Sequence, residues 1–200
     1  MKRTVLLLLV AVVLCACNSL PGVSLPSVNN NTPVPTPSPT DSWKSFTHTA
    51  GRFSASVPTE FKETTQSTST LLGKIDMHIF TAVDDAGAAM YAIGYADFPA
   101  AALKNADQQA LLKGTVEGAA KNIGGKVTSQ VAGVQNEMQA REFNADIPAG
   151  STLPGGGVMR GRVFIVQNRL YQVYAITTKE LAKSPLVDKF LNSFKFTAPK

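Results

Sequence analysis

Short segments of the chain alternate apolar with polar residues, and this period of two predicts β-strands. In residues 51–57, for example, Phe53, Ala55 and Val57 alternate with polar side chains. A predicted hairpin that turns at Asn168-Arg169 is apolar on both faces, so its strands are expected to be central and covered on both sides. The predicted strands are at residues 51–57, 72–83, 89–96, 126–134, 138–147, 158–167 and 170–177.

Apolar residues that recur at a spacing of three or four predict two helices. The first begins near Asn105 or Asp107, both suitable N-caps, and ends at Gly124-Gly125. The second runs from about Ser184-Pro185 to Phe194, with serine as its cap and proline in its first turn. Its predicted apolar face comprises Leu186, Phe190 and Phe194.

The order of three strands, a helix, four strands and a helix predicts an α+β fold. We expect an antiparallel sheet of about six to seven strands flanked by helices, which is an α/β/α sandwich. In the strand at 89–96, three small residues lie on the face opposite Tyr91, Ile93 and Tyr95, which would allow a helix to approach the sheet closely. These small residues are Ala92, Gly94 and Ala96.

Residues 1–16 have the layout of a secretory signal peptide. Lys2 and Arg3 form a basic start, and residues 5–14 are all apolar. This run is shorter than the roughly 20 residues that span a bilayer. No later segment approaches that length, so we expect no transmembrane helix.

Leu14-Cys15-Ala16-Cys17 closes the apolar run and resembles the lipobox of bacterial lipoproteins. In that motif an aliphatic residue, a tolerant position and a small residue precede the modified cysteine. The resemblance implies cleavage after Ala16 and acylation of Cys17, with palmitate as one of the chains. Two or more acyl chains would hold the protein stably on a membrane, whereas one chain holds it only marginally.

The expected location is therefore the outer side of the cell membrane or the outer membrane. An aspartate after the lipidated cysteine favours retention in the inner membrane of enterobacteria. This chain has Asn18 at that position, so the resemblance favours anchoring in the outer membrane if the host has one.

A proline-rich tether follows the lipidation motif. Six of the twelve prolines lie between Asn18 and Asp41, and proline withholds the N–H that helices and sheets need. We expect a semi-rigid spacer that rises about 3.1 Å per residue, with a ligand for a proline-recognising domain as the alternative. We therefore divide the chain into a signal peptide at 1–16, a disordered tether at 17–41 and one α+β domain at 42–200.

Cysteine and charge patterns exclude several functions for the folded part. Both cysteines, Cys15 and Cys17, lie in the leader region, so the domain can form neither a disulfide nor a thiolate metal site. Removing Lys2 and Arg3 lowers the formal net charge from +5 to +3. The remaining charge is spread along the chain, whereas nucleic-acid-binding proteins show a clustered patch. We therefore expect no nucleic-acid partner, and the sequence indicates no cofactor.

Asp76 and His78 are the best candidates for chemistry, because they lie two positions apart on one predicted strand face. A zinc site needs at least three protein ligands, and His48 lies in a different segment, so no metal site is indicated. The pair could assist a nucleophile, but no serine or threonine lies in a recognisable strand-turn-helix elbow. Two polar residues on a solvent-facing strand are the simpler interpretation.

Arginines on one strand face form a second candidate, since Arg160 and Arg162 could clamp an anion with Arg169 nearer the turn. Pairing with acidic and polar residues of a neighbouring strand is the simpler interpretation. These neighbours are Glu142, Asn144 and Asp146.

The stretch Pro154-Gly155-Gly156-Gly157 lacks the lysine of a phosphate-binding loop. It is predicted to be a flexible connection between two strands, which could move over a ligand or contact a partner. Tyr91, Tyr95 and Tyr174 are predicted to be core residues with a hydroxyl that reaches water. If they were exposed together, they would form an interaction patch.

Three segments of the domain resemble PsbP-like domains, a group that includes extrinsic photosystem II subunits and bacterial lipoproteins such as DcrB. They are residues 51–58 (GRFSASVP), 162–171 (RVFIVQNRLY) and 190–196 (FLNSFKF). These motifs consist of core and turn residues, so the resemblance implies a fold rather than an activity. It carries over no functional residue, although proteins of this group act mostly as binding or assembly modules.

The sequence thus favours a non-catalytic binding or assembly lipoprotein of the cell envelope, held by membrane lipid through acylated Cys17 and acting on an unknown envelope partner. An extracytoplasmic hydrolase or small-ligand-binding enzyme that uses Asp76, His78 and a nearby arginine is the first alternative. A structural envelope protein that acts through its proline-rich arm is the second.

Overall fold

The computed structural model describes residues 43–70, 73–84, 88–103, 106–135, 138–150 and 153–197. The predicted signal peptide, the lipobox-like segment with Cys17 and the predicted tether therefore lie outside the described residues. The strands are β1 (Lys44–His48), β2 (Phe53–Val57), β3 (Lys62–Thr70), β4 (Gly73–Val83), β5 (Ala89–Asp97), β6 (Lys126–Gln135), β7 (Met138–Ile147), β8 (Gly157–Val166), β9 (Arg169–Thr177) and β10 (Lys195–Phe196). The helices are α1 (Ala100–Leu103), α2 (Gln108–Asn122) and α3 (Pro185–Ser193).

A seven-stranded sheet in the order β3-β4-β5-β9-β8-β7-β6 forms the centre of the fold. Every neighbouring pair of strands in it is antiparallel. A smaller sheet, β1-β2-β10, packs its apolar side chains against one face of the large sheet. The prediction of an α+β fold with an antiparallel sheet is confirmed.

Both faces of the large sheet are buried, as the two-sided apolar pattern of β8 and β9 predicts. Val163 and Ile165 belong to a core cluster that includes α2, whereas Phe164 and Val173 belong to a second cluster that includes α3. We call these two sides the α2 face and the α3 face. The smaller sheet lies on the α3 face, where Phe53 is completely buried.

The predicted element order was wrong at the start of the domain, because five strands rather than three precede the first helix. Strand β3 was not predicted, because its residues KETTQSTST include no apolar side chain that could reveal a period of two. The short strands β1 and β10 were not predicted either. The predicted first strand begins later than expected, at Phe53, because Arg52 adopts a turn conformation with φ of 53°. The predicted strand start at Leu72 and the alternative helix cap Asn105 lie outside the described residues.

Helix α2 begins at the predicted cap and ends at the predicted glycines. The Asp107 carboxylate accepts a hydrogen bond from the N–H of Ala110 at 3.0 Å, which satisfies one of the free donors at the helix start. Gly124 ends the helix with φ of 69°, a left-handed conformation that glycine adopts without a Cβ clash. The helix packs mainly on β6, β7 and β8, and the small-residue face of β5 is not among its main contacts. Gly94 on that face instead lies between the side chains of Met77 and Gln172.

Helix α3 starts as predicted, with Ser184 as its N-cap and Pro185 in its first turn. Its buried face differs from the predicted one because it follows a spacing of three and four rather than four alone. Leu186 is only partly buried. The buried residues of this face are Val187, Phe190, Leu191 and Phe194. In the described part of the chain, no helix is both long enough and apolar enough to cross a bilayer.

Candidate functional site

Both histidines of the chain contact the ring of Tyr95 on the α3 face, where β1 packs against the large sheet. The His78 ring stacks on Tyr95 with a centroid distance of 4.7 Å and an interplanar angle of 13°. The His48 ring lies 5.9 Å from the same tyrosine and 4.6 Å from Phe80. His48 was predicted to lie in a different segment, because strand β1, which brings it to the cluster, was not predicted.

Asp76 and His78 share a strand face, as predicted, but each is engaged by the edge strand β3 rather than by the other. Asp76 accepts a hydrogen bond from the Ser67 hydroxyl at 2.5 Å and forms an ion pair with Lys74 at 3.3 Å. The Ser67 hydrogen bond, followed by the contact with Lys74, holds the pKa of Asp76 below its usual value. This carboxylate is therefore stabilised in its ionised form, which makes it a weaker proton acceptor.

The imidazole of His78 faces polar groups of β3. Its Nδ1 lies 3.2 Å from the Thr65 hydroxyl and 3.3 Å from a Glu63 carboxylate oxygen. The register of β3 and β4 places Thr65 directly opposite His78. The sequence could not indicate these neighbours, since β3 has no apolar period.

Arg169 also contacts the Tyr95 ring. Its guanidinium carbon lies 4.5 Å from the ring centroid, and it binds both carboxylate oxygens of Asp97 at 2.6 and 2.7 Å. A third donor reaches the Ala50 carbonyl oxygen at 2.7 Å, which ties the β8–β9 hairpin to the β1–β2 turn. The hydrogen bonds to Asp97 raise the pKa of Arg169 above its usual value.

Burial raises the pKa of the two tyrosines in this cluster, Tyr95 and Tyr171, above the usual value for a phenol. The Tyr171 hydroxyl donates a hydrogen bond to the Gly51 carbonyl oxygen at 2.8 Å. Both phenols are therefore neutral at physiological pH. The hydrogen bond from Tyr171 also connects the turn between β1 and β2 of the small sheet to the large sheet.

Arg160 and Arg162 share the α3 face of β8, and both bind helix α3. Arg160 donates to the Asp188 carboxylate at 2.9 Å and to the Ala182 carbonyl at 3.1 Å. Arg162 donates to the Leu191 carbonyl at 3.1 Å and forms the expected cross-strand ion pair with Glu142, at 3.3 Å. These two arginines therefore bind helix α3 to the sheet, and their guanidinium groups are engaged by protein groups rather than arranged to bind an anion.

The structure separates this arginine pair from the histidine cluster. Strands β9 and β5 lie between β8 and β4, so the strands that carry Arg160 and His78 are about 14 Å apart at a spacing of about 4.8 Å per strand. Among the three arginines that the sequence suggested as an anion site, Arg169 lies in the histidine cluster. Within the described ranges, no three His, Cys, Asp or Glu side chains are grouped closely enough to hold a metal ion.

The glycine-rich connection between β7 and β8 is anchored on the protein. Leu153 is buried in the core, and the Gly156 N–H donates to its carbonyl oxygen at 3.0 Å. A Cβ on Gly157 would collide with the backbone of Thr177, so only glycine fits at this point of the connection. Residues 151 and 152 of this segment lie outside the described residues.

The three tyrosines considered as an interaction patch do not form one. Tyr91 and Tyr95 are buried in the core of the α3 face, as predicted. Tyr174 packs against the core of the α2 face, on the opposite side of the sheet.

An open groove of about 660 Å³ runs along β6 on the α3 face. Val131, Gly133 and Asn144 belong to its lining, and Arg162 and Asn192 bound it toward helix α3. This groove lies beside β6, at the opposite edge of the sheet from the histidine cluster. It was not among the candidate sites predicted from the sequence.

Comparison with known proteins supports the fold and gives no close relative. No protein-family model matches the chain, and no curated protein matches it. Among solved structures, the chain is similar to the solution structure of the cyanobacterial PsbP, CyanoP, from Synechocystis sp. PCC 6803. The similarity has a TM-score of 0.50 at 11% sequence identity and covers 82% of this chain and 98% of that one.

A second solved structure, PA94 of Pseudomonas aeruginosa, is a protein of unknown function. It shows a TM-score of 0.37 at 10% identity, over 74% of this chain and 91% of that one. The similarity to CyanoP alone shows that the fold of this chain is PsbP-like, as the core and turn motifs of the sequence imply. At this level of identity the likeness defines a fold and assigns no activity.

Proposed function

We propose that this protein is a membrane-anchored lipoprotein that works outside the cytoplasm as a non-catalytic binding or assembly module. The observation that carries the proposal is the lipobox-like segment Leu14-Cys15-Ala16-Cys17 at the end of a short apolar run with a basic start. Acyl chains on Cys17 would insert into the bilayer and hold the mature N-terminus there.

The segment between the anchor and the domain supports a role at some distance from the membrane. It extends from Asn18 to Asp41 and contains six prolines. A fully extended polyproline II segment of this length would reach about 70 Å at about 3.1 Å per residue. The domain could therefore meet envelope components that do not touch the bilayer surface.

The contacts within the domain favour recognition over catalysis. Asp76, His78 and Arg169 are each engaged by polar groups of the same chain, on β3 or at Asp97. A hydrolase that used them would have to break these contacts before the residues could exchange a proton with a substrate. We therefore keep the enzyme hypothesis as the alternative.

Mass analysis of the intact protein extracted from membranes tests the anchor. We expect the mature chain to begin at Cys17 and to carry the added mass of acyl chains. Cys17→Ser is expected to remain unprocessed and unacylated, whereas the matched control Cys15→Ser is expected to be processed like wild type. A mature chain that starts elsewhere and carries no lipid would overturn the anchoring proposal.

Crosslinking in intact membranes, followed by purification, tests the binding role separately. We expect a specific envelope protein to be captured by the full chain. A purified protein that captures nothing and hydrolyses a substrate in a His78-dependent manner would favour the enzyme alternative instead.

A further inference from the structure

Strand β6 is one edge of the seven-stranded sheet and pairs with β7 along its inner side. Its outer side presents backbone N–H and C=O groups to which no other strand of the described chain is paired. Such an edge is a template for another strand, and proteins usually protect it with lysine, proline, a bulge or a covering element.

The outer edge of β6 has little of this protection. Residues 127–135 contain neither a charged residue nor a proline, and the register irregularity between Val127 and Ser129 affects one end of the strand. In the described part of the chain, the exposed large apolar residues are Val131 and Val134, with exposed fractions of 68% and 65%. Both belong to the C-terminal half of this strand and lie on opposite faces of the sheet, so this half exposes apolar side chains on both faces.

The opposite edge of the sheet is different. Strand β3 begins with Lys62 and Glu63, and all its other residues are polar. Its side chains Thr65 and Ser67 are engaged in hydrogen bonds to β4. The two edges of the sheet thus differ, because β6 exposes two valines whereas β3 carries no apolar side chain.

We propose that β6 pairs antiparallel with β6 of a second copy of this chain, with the two-fold axis at Val131. A two-fold axis normal to a sheet makes a strand meet itself in the antiparallel direction. The uncharged run at 127–135 is centred on Val131, so an axis at this residue pairs the whole run with itself. In this register Gln130 faces Ala132 of the second copy, and Ser129 faces Gly133.

Charge and shape favour a second copy as the occupant. No charged side chain of the run opposes another, so the like-charge repulsion that normally keeps edges apart is missing. A Cβ on Gly133 would meet nothing within 4 Å, because Gly133 borders the open groove beside the strand. That space can receive the Ser129 side chain of the second copy. Pairing uses up the β6 edge of both copies, so the assembly stops at a dimer.

Sedimentation velocity of the full chain in mild detergent tests the dimer with a matched pair of lysine variants. Val131→Lys places two ammonium groups opposite each other at the axis, so we expect its dimer to weaken by at least about tenfold. Val134→Lys introduces the same side chain at an equally exposed valine of the same strand. In the proposed register position 134 faces Thr128, so its dimer is expected to stay close to that of wild type.

A cysteine scan tests the register. Directly opposed antiparallel residues have Cα atoms about 4.5–5.5 Å apart, which lies within the range that a disulfide bridges. In the full chain with Cys15→Ser and Cys17→Ser, Val131→Cys is therefore expected to form a disulfide-linked dimer under mild oxidation. Val134→Cys is expected to form none, because the two positions lie far apart across the axis.

Several results would overturn the proposal. A chain that stays monomeric up to about 1 mM would show that a second copy does not cover this edge, and would leave it to an extended segment of another protein. Open-ended oligomers, equal weakening by the two lysine variants, or equal crosslinking of the two cysteine variants would each exclude the β6 pairing. None of these results bears on whether Cys17 is acylated.

Discussion

Gly161 lies where β8 and β9 approach each other too closely for a side chain, and adding one methyl group there should destabilise the fold. It faces Tyr174 across β8 and β9. A Cβ on Gly161 would lie 2.6 Å from the Val173 carbonyl oxygen and 2.6 Å from the Tyr174 Cβ. These atoms are part of the backbone or bound to it, so they can move only if the two strands separate.

The expected magnitude for Gly161→Ala follows from two opposing terms. Overpacking a tight interior costs about 1–3 kcal/mol. Removing a glycine restricts the unfolded chain and returns about 0.4–1 kcal/mol. We therefore expect the free energy of unfolding to fall by about 1–2 kcal/mol.

Gly133→Ala is the matched control, because the new methyl group would meet nothing within 4 Å. There the unfolded-state term acts alone, so we expect a gain of up to about 1 kcal/mol. Urea unfolding followed by circular dichroism at low protein concentration resolves the two variants, since 2 kcal/mol corresponds to about 1 M in the midpoint. If both variants shift the midpoint in the same direction, the reasoning from backbone crowding is refuted.

Three further predictions concern other contacts. Phe190→Ala should lower the free energy of unfolding by about 3–5 kcal/mol in chemical denaturation, because the ring is completely buried and packs 5.0 Å from Tyr91; a change below 1 kcal/mol would contradict the assigned packing. Tyr171→Phe leaves a buried carbonyl without its donor and should cost about 1 kcal/mol in the same assay, whereas an unchanged midpoint would argue against this hydrogen bond. Asp76 should titrate below the usual aspartate pKa in carbon-13 NMR, so its contribution to stability is present above the unfolded-state pKa and is lost as the pH falls through the folded-state pKa. Ser67→Ala should raise that pKa, and a pKa that does not move would show that the serine is not its main cause.

The fold could be predicted wherever apolar residues mark both the period and the ends of an element. Strand β7 has the predicted bounds of 138–147 because apolar and polar residues alternate in both of its halves, although the alternation changes phase at Arg141-Glu142. Helix α2 was bounded correctly by Asp107 and Gly124, which have local conformational reasons to be caps. Strand β3 could not be found, because a polar edge strand is defined by the neighbour it pairs with rather than by its own sequence.

The candidate sites depended on contacts between elements, which the sequence did not reveal. The spacing of Asp76 and His78 placed them correctly on one face, but their actual partners are on the undetected strand β3. His48 joins the same cluster through β1, another undetected strand. The ion pair between Arg162 and Glu142 could be predicted from the sequence. The hydrogen bond from Arg162 to the Leu191 carbonyl could not, because it depends on how helix α3 packs on the sheet.

Membrane attachment through Cys17 is the central claim, and metabolic labelling with radioactive palmitate tests it most directly. We predict that wild-type chain incorporates the label and sediments with membranes, while Cys17→Ser takes up no label and is lost from the lipid-modified fraction. An unlabelled wild-type chain, together with a Cys17→Ser variant that sediments in the same way, would contradict the account.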